Sequence, residues 1–216
     1  MDKNRKKQVL FVITFGKVNI GYTAFIVDMF SVIVKPENNE LDLAKKAKLL
    51  GYTTIYFSYP FAGVLRDQTS EIQNKTGLAV KNLAWCNKHE YSAAKKNGFI
   101  PIMQSPDREV FEKMKDLIMY DVENTPRNDG IHQRISGLNQ VLCKLANKNN
   151  ITLLYDVQAL KRLDPSALAT RLGRIQQNIG LCQKYKVKIA FSAVVSKPEE
   201  MLNPYDLLAF GTVLGL

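Results

Sequence analysis

Apolar runs rich in β-branched residues recur along the chain and alternate with segments whose apolar residues follow helical spacing. The runs are Phe25–Val34, Thr53–Ser58, Leu78–Ala84, Phe99–Met103, Leu117–Asp121, Ile151–Tyr155 and Val187–Ser192. This alternation is typical of βαβ units that build a parallel sheet. Seven such units in a chain of this length predict a small α/β fold, a (β/α) barrel, over a long open sheet. The continuous apolar character of several runs agrees with strands buried on both faces.

Three helices are marked by their start signals. Asp164 before Pro165 is a capping residue followed by proline at the first helical position. The apolar residues after it recur at helical spacing and form one buried stripe of Leu168, Leu172, Ile175, Ile179 and Cys182. A second helix is predicted from Ser136. A third is predicted from Asn203-Pro204, where Asp206 in the first turn suits the helix dipole.

The composition fits one globular domain. The chain has 216 residues, of which 46% are hydrophobic and 23% charged, and this is enough to bury a sizeable core. We predict a basic N-terminal extension over residues 1–22 and a single barrel domain over residues 23–216. Three widely spaced cysteines indicate neither a disulfide framework nor a thiolate metal site, and no apolar run is long enough to span a bilayer. The expected location is the cytoplasm.

Positive charge is concentrated in one part of the chain. Between Arg127 and Lys188, eleven Lys or Arg residues occur with three Asp residues, whereas residues 107–123 contain six acidic and three basic residues. A folded domain whose positive charge is clustered is usually prepared for a polyanion, most often a nucleic acid. We therefore predict contacts between this region and the phosphates of RNA or DNA.

Two features of this region predict binding surfaces. The long connection 124–135 carries Arg127, His132 and Arg134 near a strand's carboxyl end and a helix N-terminus, where anions are favoured. Ala169, Gly173 and Gly180 share a narrow sector of the Asp164 helix. A row of small residues lets another backbone approach closely, so this sector predicts a partner-contact face. An exposed face with tolerated glycines is the alternative.

Catalytic motifs are scarce in the sequence. It has no Gly-rich phosphate loop and no nucleophile elbow, and His89 and His132 are far apart. Asp28, Asp121 and Asp156 lie within or near predicted strand ends, where barrel active sites form. A metal-dependent phosphoesterase or nuclease built on these carboxylates is therefore the alternative function. A protein-interaction scaffold is a third.

Several segments of the second half resemble one known family. They are Ser136–Ala146 (SGLNQVLCKLA), Asn149–Leu153 (NNITL), Tyr185–Lys188 (YKVK) and Asn203–Gly215, whose Pro-x-Asp-Leu start and Gly-x-x-x-Gly end are the most specific. These segments resemble archaeal RNase P protein component 3, a family shared with eukaryotes as the thirty-kilodalton RNase P subunit. In the first half, Phe25–Asp28 and Ala47–Tyr52 resemble the family's first strand and helix more weakly.

The resemblance implies a TIM-like barrel related to the polymerase-and-histidinol-phosphatase superfamily and a role as a protein cofactor of RNase P. In that enzyme the RNA subunit performs the Mg²⁺-dependent cleavage that removes the 5′ leader of precursor tRNA. Neither a catalytic residue nor a bound metal or cofactor is therefore expected in this chain. Phe30 and Val32 stand about where the superfamily's metal-binding histidines would fall. The expected partners are RNase P RNA and protein component 2, with precursor tRNA contacted indirectly.

On this hypothesis the basic residues of the second half neutralise phosphates of the RNA subunit, and such contacts position the RNA rather than read its sequence. His132 would add a hydrogen bond or stack on an unpaired base. The complete predicted RNA-binding set is Arg127, His132, Arg134, Lys144, Lys148, Lys161, Arg162, Arg171, Arg174, Lys184 and Lys186.

Overall fold

The computed structural model describes residues 31–61, 69–104, 106–130 and 134–216. Within these residues strands and helices alternate up to the seventh strand, except that two helices lie between the sixth strand and the seventh. The predicted extension 1–22, the first part of the first apolar run, Asp28, Phe30 and His132 lie outside the described residues. None of the described helices is both long and apolar enough to cross a membrane.

Among the described residues, seven strands form one parallel sheet. They are β1 (Ser31–Val34), β2 (Thr54–Pro60), β3 (Ala79–Trp85), β4 (Ile100–Met103), β5 (Ile118–Tyr120), β6 (Thr152–Asp156) and β7 (Lys188–Ser192). The last six predicted runs each overlap one of these strands, with ends that differ by no more than two residues. Hydrophobic patterning therefore located the strands.

Strand order follows chain order, which makes the sheet a nearly closed barrel. Each strand pairs with the next in parallel, from β1 to β7. Because crossovers between parallel strands are right-handed, this order places every crossover helix on the same side of the sheet. The two edges meet where Val34 bridges to Val195, and the amide of Lys35 donates to the Val195 oxygen at 2.8 Å. The predicted TIM-like (β/α) barrel is confirmed.

Alternate strand residues fill the barrel and the layer around it. Ile33, Tyr56, Leu83, Ile102 and Leu154 form an inner cluster with other inward-facing side chains. The residues between them face the helices in two larger clusters, one beneath the first helices and one beneath the last. This strict alternation follows from the two-residue period of a strand.

Eight α-helices and one 3₁₀ turn are described around the strands. They are α1 (Glu40–Leu49), α2 (Thr69–Thr76), α3 (Tyr91–Lys96), α4 (Arg108–Lys113), α5 (Gln140–Lys148), α6 (Val157–Lys161), α7 (Pro165–Tyr185), the 3₁₀ turn Pro198–Glu200 and α8 (Pro204–Val213). The side chain of Asp164 accepts from the amides of Ser166 and Ala167, and that of Asn203 accepts from the Tyr205 amide. The predicted cap at Asp164 and the predicted helix start at Asn203-Pro204 are confirmed.

The second predicted helix begins four residues later than the sequence indicated. Gly137 has φ 76°, a left-handed conformation that ends any helix through Ser136. Its Cβ position is occupied by the Val122 carbonyl, so the turn packs against the main chain after β5. The helix instead starts after Asn139, whose side chain accepts from the amides of Val141 and Leu142.

Different helix and strand termini lie at the two ends of the barrel. At its carboxyl end the strands finish and the crossover helices begin. Helices α1 to α5 and α7 run back and finish at its amino end, where short connections lead into the next strands. Helix α6 is an exception, because it follows β6 directly and remains at the carboxyl end.

Candidate nucleic-acid interface

Arg171, one of the predicted RNA-binding residues, is buried inside the protein. Its side chain is 9% exposed and contacts two carboxylates that follow β5, Asp121 and Glu123. Nη2 lies 3.1 Å from Oδ2 of Asp121 and 2.6 Å from Oε1 of Glu123, which also accepts from Nε at 3.0 Å. A buried charge requires such partners. The assignment of Arg171 to an RNA surface is therefore wrong, because its guanidinium neutralises internal carboxylates.

Arg174 holds the loop that follows β5. Its Nε donates to Oδ1 of Asp129 at 2.8 Å, and its Nη2 donates to the main-chain oxygen of Arg127 at 2.6 Å. Nη1 donates to the carbonyls of Glu123 and Thr125 at 3.2 and 3.0 Å. The side chain is 5% exposed. Arg174 is thus also wrongly placed among phosphate ligands, since all three guanidinium nitrogens bind the protein's own loop.

Two carboxylates share the Arg171 guanidinium, and burial changes their protonation. Burial, together with the charge of Asp121, raises the pKa of Glu123 to about 7 against the attraction of Arg171. Burial also raises the pKa of Asp121. Oε2 of Glu123 has no hydrogen-bond partner among the described residues. Near neutral pH, a substantial fraction of molecules therefore holds a proton on this cluster.

The strand-end carboxylates of the enzyme alternative have internal partners. Oδ1 of Asp121 accepts from the Asp156 amide at 3.0 Å. Oδ1 of Asp156 accepts from the amides of Gln158 and Val194, and its Oδ2 accepts from the Tyr120 hydroxyl at 2.8 Å. These hydrogen bonds link the ends of neighbouring strands, so both carboxylates have a structural role.

The described residues contain no group of three His, Cys, Asp or Glu side chains placed to hold a metal ion. His89 is exposed, and Asp28 and His132 lie outside the described residues. Val32 packs in the outer cluster with Leu43, so a side chain at this position faces the helices and not the barrel interior. The geometry does not favour a phosphoesterase or nuclease built on Asp121 and Asp156.

The remaining predicted cations are exposed but do not share one surface. Arg127, Arg134, Lys161 and Arg162 lie at the carboxyl end, Lys148, Lys184 and Lys186 lie at the amino end, and Lys144 lies midway along α5. The sequence gives the position of each charge along the chain but not its position on the folded barrel. In the barrel these residues are separated by the length of a helix.

The loop after β5 forms a groove at the carboxyl end. Arg127 and Arg134 border a cavity of about 580 Å³ together with Pro106, Asn139 and Leu142. Its position between a strand end and the start of α5 is the one the sequence indicated for an anion. Phosphate contact by these two arginines stays a prediction.

Lysines accumulate at the opposite end. We call the lysines of the last turns of α1 to α5 and α7, and of the connections that follow them, the amino-end lysines. They are Lys46, Lys48, Lys75, Lys95, Lys96, Lys113, Lys115, Lys148, Lys184 and Lys186. The same turns and connections contain two carboxylates, Glu112 and Asp116. Acidic residues instead occupy the first turns of α1, α2 and α4, so the barrel is electrically polarised.

The predicted partner-contact face is interrupted. Ala169 and Gly180 are exposed, but Gly173 is buried. A Cβ on residue 173 would collide with the guanidinium of Arg134, whereas a Cβ on residue 180 would meet no atom within 4 Å. The assignment of Gly173 to an open face is wrong, because Arg134 of the same chain already covers it.

Comparison with known proteins relates this architecture to one family. No protein-family model matches the chain. Over 96 residues, 44% of the chain, it is 30% identical to "Ribonuclease P protein component 3" of Methanosarcina mazei. Over 90 residues it is 28% identical to the protein of that name from Methanocaldococcus jannaschii. The chain is related to ribonuclease P protein component 3. The matched segments span 38% of the length of each of these two component 3 proteins.

The fold agrees with this relationship. The chain superposes with a TM-score of 0.69 on a chain from a "cryo-EM structure of archaeal Ribonuclease P with mature tRNA". The match covers 86% of this chain and 82% of the other at 22% sequence identity. The sequence resemblance to component 3 and the barrel fold therefore point in the same direction.

Proposed function

We propose that this chain is a protein subunit of ribonuclease P that binds and supports the catalytic RNA. The observation that carries the proposal is the sequence similarity to component 3 of two methanogens, on a barrel that superposes on a chain of an archaeal ribonuclease P structure. An uneven distribution of basic residues over the barrel surface supports it, because phosphate contacts dominate the affinity of such assemblies.

In this proposal the chain binds the RNA subunit, and the RNA subunit catalyses the cleavage. The RNA subunit removes the 5′ leader of precursor tRNA with Mg²⁺, and exposed lysines and arginines of this chain neutralise RNA phosphates. Protein component 2 is the proposed protein partner, and precursor tRNA is contacted indirectly. The buried ion pairs of Arg171 and Arg174 have a structural task here, since they fix the loop that presents Arg127.

The test is cleavage of precursor tRNA by the cognate RNase P RNA at moderate Mg²⁺. Four reactions compare RNA alone, RNA with component 2, RNA with this chain, and RNA with both proteins. We expect cleavage to be stimulated when both proteins are present. This chain incubated with precursor tRNA and Mg²⁺ but without the RNA is expected to leave the substrate intact.

Two results would contradict the proposal. If the folded chain gives no stimulation beyond that of component 2, its role as a ribonuclease P subunit is wrong. Cleavage by the chain alone, lost on addition of EDTA and restored by Mg²⁺ or Mn²⁺, would instead support a metal-dependent nuclease. Folding of each preparation is checked by circular dichroism before the assay.

A further inference from the structure

Helix electrostatics explains only part of the lysine excess at the amino end of the barrel. A cation in the last turn of a helix is stabilised by the helix dipole, typically by about 0.3–1 kcal/mol. This accounts for residues such as Lys148 and Lys184. It does not account for Lys81 and Lys188, which belong to strands β3 and β7 and lie at no helix terminus.

These two strand lysines lie at the open mouth of the barrel. Both line a cavity of about 320 Å³, together with Tyr56, Asp116, Asn150 and Thr152. Nζ of Lys188 donates to Oδ1 of Asn150 at 2.7 Å, and Nζ of Lys81 lies 3.4 Å from the Tyr56 hydroxyl. Both partners are uncharged groups. The centre of the amino end thus adds two lysines to those of the rim, beside the single carboxylate of Asp116.

Few carboxylates lie at the amino end of the barrel to neutralise its lysines. Asp116 is the one carboxylate among the described helix-to-strand connections, and it binds Nζ of Lys95 at 3.0 Å and Nδ2 of Asn150 at 2.7 Å. The Asn150 hydrogen bond, followed by the Lys95 contact, lowers the pKa of Asp116. This carboxylate therefore stays ionised and neutralises one lysine of many.

Most amino-end lysines carry uncompensated charge. Among the described residues, ion pairs engage Lys75, Lys95 and Lys113. None joins the other amino-end lysines, among them Lys148 and Lys186, to a carboxylate of the described chain. At the carboxyl end, Lys88, Arg108, Arg171 and Arg174 form ion pairs, whereas none of the ion pairs among the described residues includes Arg127, Arg134, Lys161 or Arg162.

We propose that RNA docks against the amino end of the barrel, with its backbone phosphates on the rim lysines and one phosphate over the cavity between Lys81 and Lys188. The inference rests on the proposed function and names the surface that performs it. Lysine suits this task because it is a compact point charge on a flexible stem and meets phosphates without fixed geometry. A protein partner fits the surface less well, since lysine is depleted in protein–protein interfaces.

The test compares the two ends of the barrel with matched variants. The amino-end variant combines Lys148→Glu, Lys184→Glu and Lys186→Glu, and the carboxyl-end variant combines Arg127→Glu, Lys161→Glu and Arg162→Glu. All six side chains are exposed, and both variants change the net charge by the same amount. Each variant is titrated with RNase P RNA in the presence of component 2 at several KCl concentrations.

We expect the amino-end variant to bind at least about 10-fold more weakly at moderate salt and the carboxyl-end variant to lose distinctly less. The slope of log affinity against log salt should fall by roughly 0.7–0.9 for each lost phosphate contact. It should therefore fall by about 2–3 in the amino-end variant. The milder pair Lys81→Gln and Lys188→Gln should weaken binding in the same direction, and it tests the surface if the triple variant does not fold.

The outcomes separate this inference from the proposed function. If wild-type chain with component 2 does not bind RNase P RNA, the proposed function fails, and the docking surface with it. If wild type binds but the carboxyl-end variant loses as much affinity or more, docking at the amino end is wrong while the proposed function stands. A loss of component 2 affinity instead of RNA affinity in the amino-end variant would assign this surface to a protein.

Discussion

Nη2 of Arg174 donates to the main-chain oxygen of Arg127 at 2.6 Å, so a buried arginine fixes the loop that presents an exposed one. The same guanidinium binds Asp129 and the carbonyls of Glu123 and Thr125. The loop after β5 is therefore held by a buried cation that contributes no positive charge to the surface.

Replacement of this cation should loosen the loop and destabilise the barrel. We expect Arg174→Met to lower the free energy of unfolding by about 2–4 kcal/mol, because it leaves partly buried acceptors without donors. Urea unfolding measures the cost, and protease cleavage within residues 124–130 should become faster. Arg162→Met is the matched control at an exposed position, with an expected change within about 0.5 kcal/mol. Equal urea midpoints for the two variants would contradict this role of Arg174.

Loss of the Arg171 ion pairs should destabilise the protein more than loss of Arg174 does, and a second substitution should restore part of the stability. Arg171→Leu leaves Asp121 and Glu123 buried without their cation and should cost about 3–5 kcal/mol. Adding Glu123→Gln removes one of the two negative charges. The double variant should therefore be more stable than Arg171→Leu alone, although less stable than wild type. Additive costs in a double-mutant cycle from urea unfolding would contradict the shared ion pair.

The protonation of Glu123 predicts how stability depends on pH. Its pKa of about 7 in the folded protein lies above its ordinary value of 4.5. Between these values the folded state binds more protons than the unfolded state, so the free energy of unfolding falls as pH rises from about 5 to 8. The Glu123 contribution should be on the order of 3 kcal/mol, since one pKa unit corresponds to about 1.4 kcal/mol.

Glu123→Gln should flatten that pH dependence. Urea midpoints at several pH values give the slope, and Glu199→Gln serves as a control because Glu199 is exposed. Similar slopes for wild type and Glu123→Gln would show that another group carries the dependence. A midpoint that stays constant from pH 5 to 8 in wild type would mean that Arg171 holds Glu123 ionised throughout.

Sequence patterns predicted the barrel because its strands and caps are local features. The apolar run Ile151–Tyr155 needs only its own residues to indicate a buried strand, and Asp164-Pro165 signals a helix start without any distant partner. Both were confirmed within a residue or two. The start of α5 was predicted wrongly because Gly137 turns against Val122, a contact that the pattern of α5 does not contain.

The candidate surface was harder to predict because charge along the chain does not reveal what a charge faces. Arg171 and Arg174 lie beside the apolar stripe of α7, at positions that in most helices are solvated. Here the loop after β5 folds over them, and the partners Asp121 and Glu123 are about fifty residues away in sequence. The six acidic residues between 107 and 123 were the available signal, since two of them turned out to be these partners.

Two glycines of α7 give a last prediction, which separates a covered face from an open one. Alanine is favoured over glycine within a helix by about 1 kcal/mol. Gly180→Ala should gain most of this, because a Cβ at residue 180 meets no atom within 4 Å. Gly173→Ala should gain little or nothing, since its methyl group must displace the Arg134 guanidinium.

Urea unfolding of the two alanine variants measures this difference directly. In Gly173→Ala the Arg134 side chain moves from its place over α7, so Arg134→Ala in the same background should cost less stability than it does in wild type. An equal gain for both glycines would mean that Arg134 does not pack on Gly173 in solution. If Gly180→Ala is stable but no longer assembles with component 2, the open part of this face binds that protein, as the row of small residues predicts.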